Sequence, residues 1–177
     1  MDRLTFDRLF DNLDVTQDPE ELFWLVNRVE LLHPKVILEI GVSKGGTFKF
    51  WEQLLPKDGL LIGIDFFLDT KQIICWNWRN SDREIHLVIE RSQTPNTVEK
   101  VFKILGGKKL DFVFIDGEHN NLAVQADFLN FYPFLSEGGM IAFHDVLDAS
   151  QFFFGMRGLK EVIHRKMGIG LWRNECL

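Results

Sequence analysis

Much that would narrow the reading is missing from this sequence. No run of 18 apolar residues occurs, which excludes a membrane-spanning helix, and the charged N-terminus lacks a secretory-signal pattern, so export is not expected. The two cysteines, Cys75 and Cys176, form neither a metal-binding nor a redox motif and suit a reducing cytoplasm. Twenty Lys and Arg against 26 Asp and Glu leave a net charge of -6, which argues against a nucleic-acid backbone as partner. What is plentiful is aromatic: 17 Phe and five Trp exceed the needs of an average domain, so most should be core, with a few left to line a pocket. At 177 residues one domain with one core is expected, a helical segment over 1–34 preceding an α/β core over 35–177.

The chain is organised around Val36 to Gly46, Val-Ile-Leu-Glu-Ile-Gly-Val-Ser-Lys-Gly-Gly. A short apolar run gives way to glycines and then to an amphipathic segment, Thr47 to Leu55, which reads as strand, glycine turn and helix. Glycines at such a turn permit φ > 0 and close approach of a ligand, and the unpaired N–H groups of the new helix receive an anionic group. The dinucleotide fingerprint would need glycine where Ser43 stands, and the phosphate-binding P-loop would need lysine where Thr47 stands. That disfavours a nicotinamide-type oxidoreductase. What remains is Glu39-x-Gly41-x-x-x-Gly45-Gly46, and an acid buried beside the turn needs a cationic or donor partner, such as the ammonium of an amino acid-like ligand. A turn serving only a tight strand-to-helix junction is the bland alternative.

Further apolar strands follow at Leu60 to Asp65, Glu84 to Glu90, Leu110 to Asp116 and Met140 to Val146. Helices are expected from Asp18-Pro19-Glu20-Glu21 (N-cap, first-turn proline and capping-box acid) to about His33, and then over 69–80, 95–105, 121–135 and 152–167. Regular alternation implies a doubly wound, mostly parallel, Rossmann-like sheet with helices on both faces. Ligands then bind beyond the carboxyl ends of the strands, where Glu39, Asp65, Asp116, His144 and Asp145 fall. A single strand, Ile169 to Trp172, follows the last helix, so the sheet is expected to be abbreviated at its C-terminal edge and to favour a homo-oligomer that covers it.

The Glu39 to Gly46 motif resembles the first motif of the class I S-adenosylmethionine-dependent methyltransferases. Phe114-Ile115-Asp116-Gly117-Glu118-His119, the Tyr132 to Gly139 segment and Ile141-Ala142-Phe143-His144-Asp145-Val146 resemble the fourth and fifth strands of one subgroup. It contains metal-dependent O-methyltransferases acting on sugar and natural-product hydroxyls, and relatives labelled cephalosporin hydroxylases. The resemblance spans about residues 36 to 147 and implies S-adenosylmethionine held by Glu39, Gly41, Ser43, Gly45, Gly46, Asp65, Ser92 and Asp116. In that arrangement the glycine turn cradles the methionine portion, Glu39 faces its amino group and Asp65 takes the ribose hydroxyls. Ser92-Gln93 falls at the adenine-contacting turn, without the family's usual acid, since Glu90 is out of register. The resemblance further implies a divalent metal, Mg²⁺ or Mn²⁺, on Asp116, His144 and Asp145, and His119 with Asp116 as the catalytic pair, His119 being the general base. Histidine at 144 departs from the family, where that position is usually acidic or an aspartate beside an asparagine. The residues leave two alternatives open: Asp116 and His119 as an N-cap pair for the helix after Asn120, and a cofactor-binding module without catalysis.

Overall fold

The computed structural model describes residues 1–67, 81–147 and 150–173. The helix expected over 69–80 lies outside them, as do both cysteines. Among the described residues seven strands form one sheet: β1 (Val36–Ile40), β2 (Leu60–Asp65), β3 (Glu84–Ile89), β4 (Leu110–Ile115), β5 (Leu135–His144), β6 (Leu159–Ile163) and β7 (Ile169–Arg173). Their order is β3-β2-β1-β4-β5-β7-β6, with β1 to β5 parallel and β7 antiparallel to both of its neighbours. Every residue of β1 and β2 is buried, as strands covered on both faces require.

Helices α1 (Arg3–Phe10), α2 (Pro19–Glu30) and α3 (Gly46–Leu54) cover one face. Phe6, Leu22, Leu25 and Trp51 join Phe112 and Phe114 of β4 in that core, where Trp51 meets the two phenylalanine rings edge-on at 5.1 and 5.4 Å. Each buried Phe there contributes about 1.5–3 kcal/mol. The other face packs against α4 (Pro95–Leu105), α5 (Asn121–Phe131) and the short α6 (Ser150–Gly155) through Val101, Val124, Phe131 and Phe153. No helix among the described residues is long and apolar enough to cross a membrane.

Two sequence expectations change at the chain's ends. Asp18 does cap α2, accepting from the amides of Glu20 (2.9 Å) and Glu21 (3.2 Å), but Glu21 does not close a capping box. Its fully buried carboxylate turns the other way and accepts from the backbone N–H groups of Arg165 (2.5 Å), Lys166 (2.7 Å) and Gly168 (3.2 Å). Three inward-pointing donors outweigh the single one at the cap. The expected helix over 152–167 ends at Gly155, and the chain re-enters the sheet as β6 after Gly158, at φ 117. The β-branched Val162 and Ile163 favour this strand, which pairs with β7 from Leu159↔Arg173 to Ile163↔Ile169. The sheet is therefore complete rather than abbreviated, and the open edge that motivated self-association is occupied by the chain's own hairpin.

Candidate active site

β1 leads into a turn in which Gly41 (φ 89), Ser43 (φ 50) and Gly45 (φ 84) all adopt positive φ. Added at Gly41, a Cβ would lie 2.0 Å from the backbone oxygen of Asp116, so this glycine lets the tips of β1 and β4 meet. The Ser43 amide donates to Asp65 Oδ2 (2.7 Å), and Asp65 Oδ1 accepts from the Phe67 amide (2.9 Å), which fixes the tip of β2 against the turn. Gly45 is the N-cap of α3 and, being glycine, supplies no side-chain cap, and Gly46 and Thr47 of the first turn line a cavity. Gly46 lies against the N-terminal segment, where a Cβ would meet the Asp14 carbonyl at 2.3 Å.

Two cavities of about 420 Å³ each share Gly41, Ser43 and Asp116. The first extends along the tips of β2 and β3 and is lined by Asp65, Phe66, Ser92 and Gln93. The second is lined by Gly46, Thr47, His119, His144 and Asp145. Thus Gly41, Ser43, Gly46, Asp65, Ser92 and Asp116 of the expected cofactor residues face a cavity, and Gly45 shapes the turn between them.

Glu39 does not. It is wholly buried and lines neither cavity, and its Oε1 accepts a hydrogen bond from the Thr47 hydroxyl beneath the turn. Its Oε2 is buried without a hydrogen-bond partner among the described residues, and Glu39 shares the strand face of Ile37, toward α3. Burial drives the Glu39 pKa well above the usual carboxylate range. Thr47 works against the rise, and the negative charge of Asp116 adds to it.

At the tips of β4 and β5, one ligand atom each from Asp116, His144 and Asp145 lie within 4.8 Å of one another. His144 Nδ1 stands 3.0 Å from Asp116 Oδ1 and 3.1 Å from Asp145 Oδ1. Both ring nitrogens of His144 and Oδ1 of Asp145 are buried without an aligned hydrogen-bond partner among the described residues. Two carboxylates and an imidazole converging in this way suit a divalent cation, which would take the place of the proton that the carboxylates otherwise hold on His144. Burial depresses the His144 pKa, but the two carboxylates outweigh it and push the value up to about 10. Burial likewise opposes ionisation of Asp145, and the close approach of His119 and His144 overcomes that and holds its pKa far below the usual range. Asp145 itself sits at φ 53, a strained backbone for a residue other than glycine.

His119 Nδ1 lies 2.6 Å from Asp145 Oδ2, which raises its pKa above the ordinary imidazole value. The helix-capping alternative does not describe these residues: Asn120 caps α5, accepting from the Ala123 amide at 2.9 Å.

Three residues of the site escaped the sequence reading. Gln17 donates through Nε2 to Asp116 Oδ2, Met167 walls the second cavity from the β6–β7 loop, and Asp127 of α5 is buried behind Ser92 and Gln93. Only Asp127 left a trace in the sequence, as an acid on the buried stripe Val124, Asp127, Phe131.

An open α/β sheet with a glycine turn at its first strand and cavities along its carboxyl edge defines a Rossmann-like α/β fold. The family described as "Methyltransferase domain" matches residues 38–146, well over half of the chain, and the chain belongs to that family. No curated protein matches its sequence. Among solved structures, the O-methyltransferase TomG of Streptomyces achromogenes, involved in tomaymycin synthesis and solved with S-adenosylmethionine, is 17% identical with a TM-score of 0.68. That match covers 94% of this chain and 85% of TomG. An O-methyltransferase of Bacillus cereus in complex with S-adenosylhomocysteine is 15% identical with a TM-score of 0.69, covering 98% of this chain and 92% of its own. MycE of the mycinamycin biosynthetic pathway, solved with Mg, S-adenosylhomocysteine and mycinamycin VI, is 15% identical at a TM-score of 0.57, covering 77% of this chain and 43% of MycE. At these identities the likeness speaks for the fold.

Proposed function

We propose that this methyltransferase moves the methyl group of S-adenosylmethionine to a hydroxyl of a small molecule, a sugar or natural product in class, within a reducing cytoplasm. The observation that carries this reading is the junction of the two cavities at Gly41, Ser43 and Asp116. A ligand with a nucleoside at one end and a charged amino acid at the other fits such a pair. Asp65 would take its ribose hydroxyls, Ser92 and Gln93 would border its base, and the N-terminus of α3 at Gly46 and Thr47 would take its carboxylate.

Transfer exchanges a methyl–sulfur bond for a methyl–oxygen bond, so the protein must supply alignment, exclusion of water and a place for one proton. Asp116, His144 and Asp145 would hold a divalent cation such as Mg²⁺ or Mn²⁺, whose contribution when bound is to lower the pKa of an acceptor hydroxyl. Asp145 engages His119 at Nδ1, which leaves Nε2 toward the second cavity as the proton acceptor. Gln17 and Met167 bring the N-terminal segment and the last hairpin to the same cavity, where they would help to exclude water.

Calorimetry with S-adenosylhomocysteine and with NAD, followed by transfer assays on a panel of hydroxyl acceptors with Mg²⁺, with Mn²⁺ and after chelation, tests the reading. S-adenosylhomocysteine should bind, NAD should not, and transfer should need the cation. Failure to bind S-adenosylhomocysteine overturns the proposal, whereas binding without transfer to any acceptor would reduce the chain to a cofactor-binding module.

A further inference from the structure

The first cavity is walled by a turn that is held from behind. Gln93 Nε2 donates to Ser92 Oγ at 2.8 Å and to the Asp127 carboxylate at 3.0 and 3.1 Å, while Asn130 Nδ2 donates to the Ser92 carbonyl at 3.3 Å. Asp127 is fully buried on α5 and does not line the cavity, whereas Ser92 and Gln93 do.

We infer that Asp127, without touching the ligand, sets which purine the cavity accepts by fixing the orientation of the Gln93 amide. An ionised carboxylate accepts hydrogen bonds and donates none, so it selects the amide orientation whose NH₂ points inward. Both hydrogens of that NH₂ are consumed, one by Ser92 and one by Asp127. The amide oxygen accepts nothing among the described residues and is what Gln93 has left to offer the cavity. A lone acceptor pairs with the 6-amino edge of adenine and opposes the 6-oxo edge of hypoxanthine. With the carboxylate gone the amide can turn over, and its NH₂ then suits the oxo group. Burial raises the Asp127 pKa to about 6, with Ser92 and Gln93 holding the rise back, so at pH 8 the group is ionised. The inference rests on reading this cavity as the nucleoside end of the cofactor site.

The test is calorimetry at pH 8 with S-adenosylhomocysteine and with its 6-oxo counterpart, S-inosylhomocysteine. The unaltered protein should prefer the adenine form by roughly 10-fold or more, the scale set by one misplaced hydrogen bond. Asp127→Asn should move that ratio most of the way to parity. A purely structural role would weaken both ligands alike and leave the ratio as it was, and that result overturns the inference. Gln93→Ala, at a half-exposed position, should lose the same preference, and its survival there overturns the inference even if Asp127→Asn does not fold. If the unaltered protein fails to bind S-adenosylhomocysteine, the assignment of the cavity falls first and this inference falls with it; binding with an unmoved ratio removes the inference alone.

Discussion

Asp145 Oδ2 stands 2.6 Å from His119 Nδ1, and that contact decides which imidazole nitrogen is free to take a proton. A base acts in its neutral form, so a pKa raised above the ordinary value of about 6.5 places the loss of activity at higher pH than an isolated histidine would. The transfer rate should therefore rise with pH through an apparent pKa above about 6.5. His119→Ala should lower it by roughly 10²–10⁴ and erase that limb. A pH–rate profile with the same limb in the variant would assign the titration to another group.

Asp145→Asn is the sharper probe of the cation site. Asparagine tolerates the left-handed backbone at φ 53 as well as aspartate does, so the change removes the carboxylate charge from the cation site, and from beside His119, without adding strain. Cation-dependent transfer should disappear while affinity for S-adenosylhomocysteine stays as it was, because the glycine turn belongs to a different strand. Full transfer in this variant, or in excess chelator, would leave Asp116, His144 and Asp145 as a structural cluster.

Glu39→Gln separates a buried acid from a ligand-binding one. Glutamine can still accept from the Thr47 hydroxyl and carries no charge to bury. Because the Glu39 pKa is raised, its ionisation costs stability as pH rises from the unfolded value of 4.5 through the folded one. The variant should be at least as stable as the parent at pH 7 to 8 and should bind S-adenosylhomocysteine equally well. A large loss of affinity by calorimetry would return Glu39 to the role the sequence motif gave it.

Asp127 carries the same sign of linkage. Its pKa moves from 3.8 to about 6 on folding, so the unfolded chain ionises first, and stability falls as pH rises between these values before levelling off above them. Two units correspond to about 3 kcal/mol. Urea unfolding at pH 4 and pH 7 should show the parent losing roughly that much relative to Asp127→Asn. Parallel pH dependences in the two proteins would mean that the buried carboxylate is better solvated than its surroundings allow.

The polar strand tips were legible in the sequence because each one ends an apolar run, and a parallel sheet gathers such ends along one edge. Asp65, Asp116, His144 and Asp145 were placed on that basis alone. The side on which Glu39 points was not legible: β1 is buried on both faces, so its apolar residues carry no alternation to show which way an acid turns. Glu21 satisfies the capping-box spacing whether or not it caps, and its true partners lie in another part of the chain. β6 was concealed because its residues also continue an amphipathic helix, and only Gly155 and Gly158 mark the break. Gln17 and Met167 reach the site from opposite ends of the chain, and no local pattern encodes such a meeting.

The carboxylate of Glu21 reaches across 144 to 147 residues of sequence to fasten the loop that carries Met167. On a chain made from its N-terminus, the strands that bear the glycine turn, Asp65 and Asp116 emerge long before that loop exists. The methyl-donor half of the site can therefore take shape during synthesis, while the wall facing the acceptor waits for the final hairpin to arrive. Chains cut short before residue 165 would thus keep every residue assigned here to cofactor, cation and proton, yet lack the wall that encloses the acceptor.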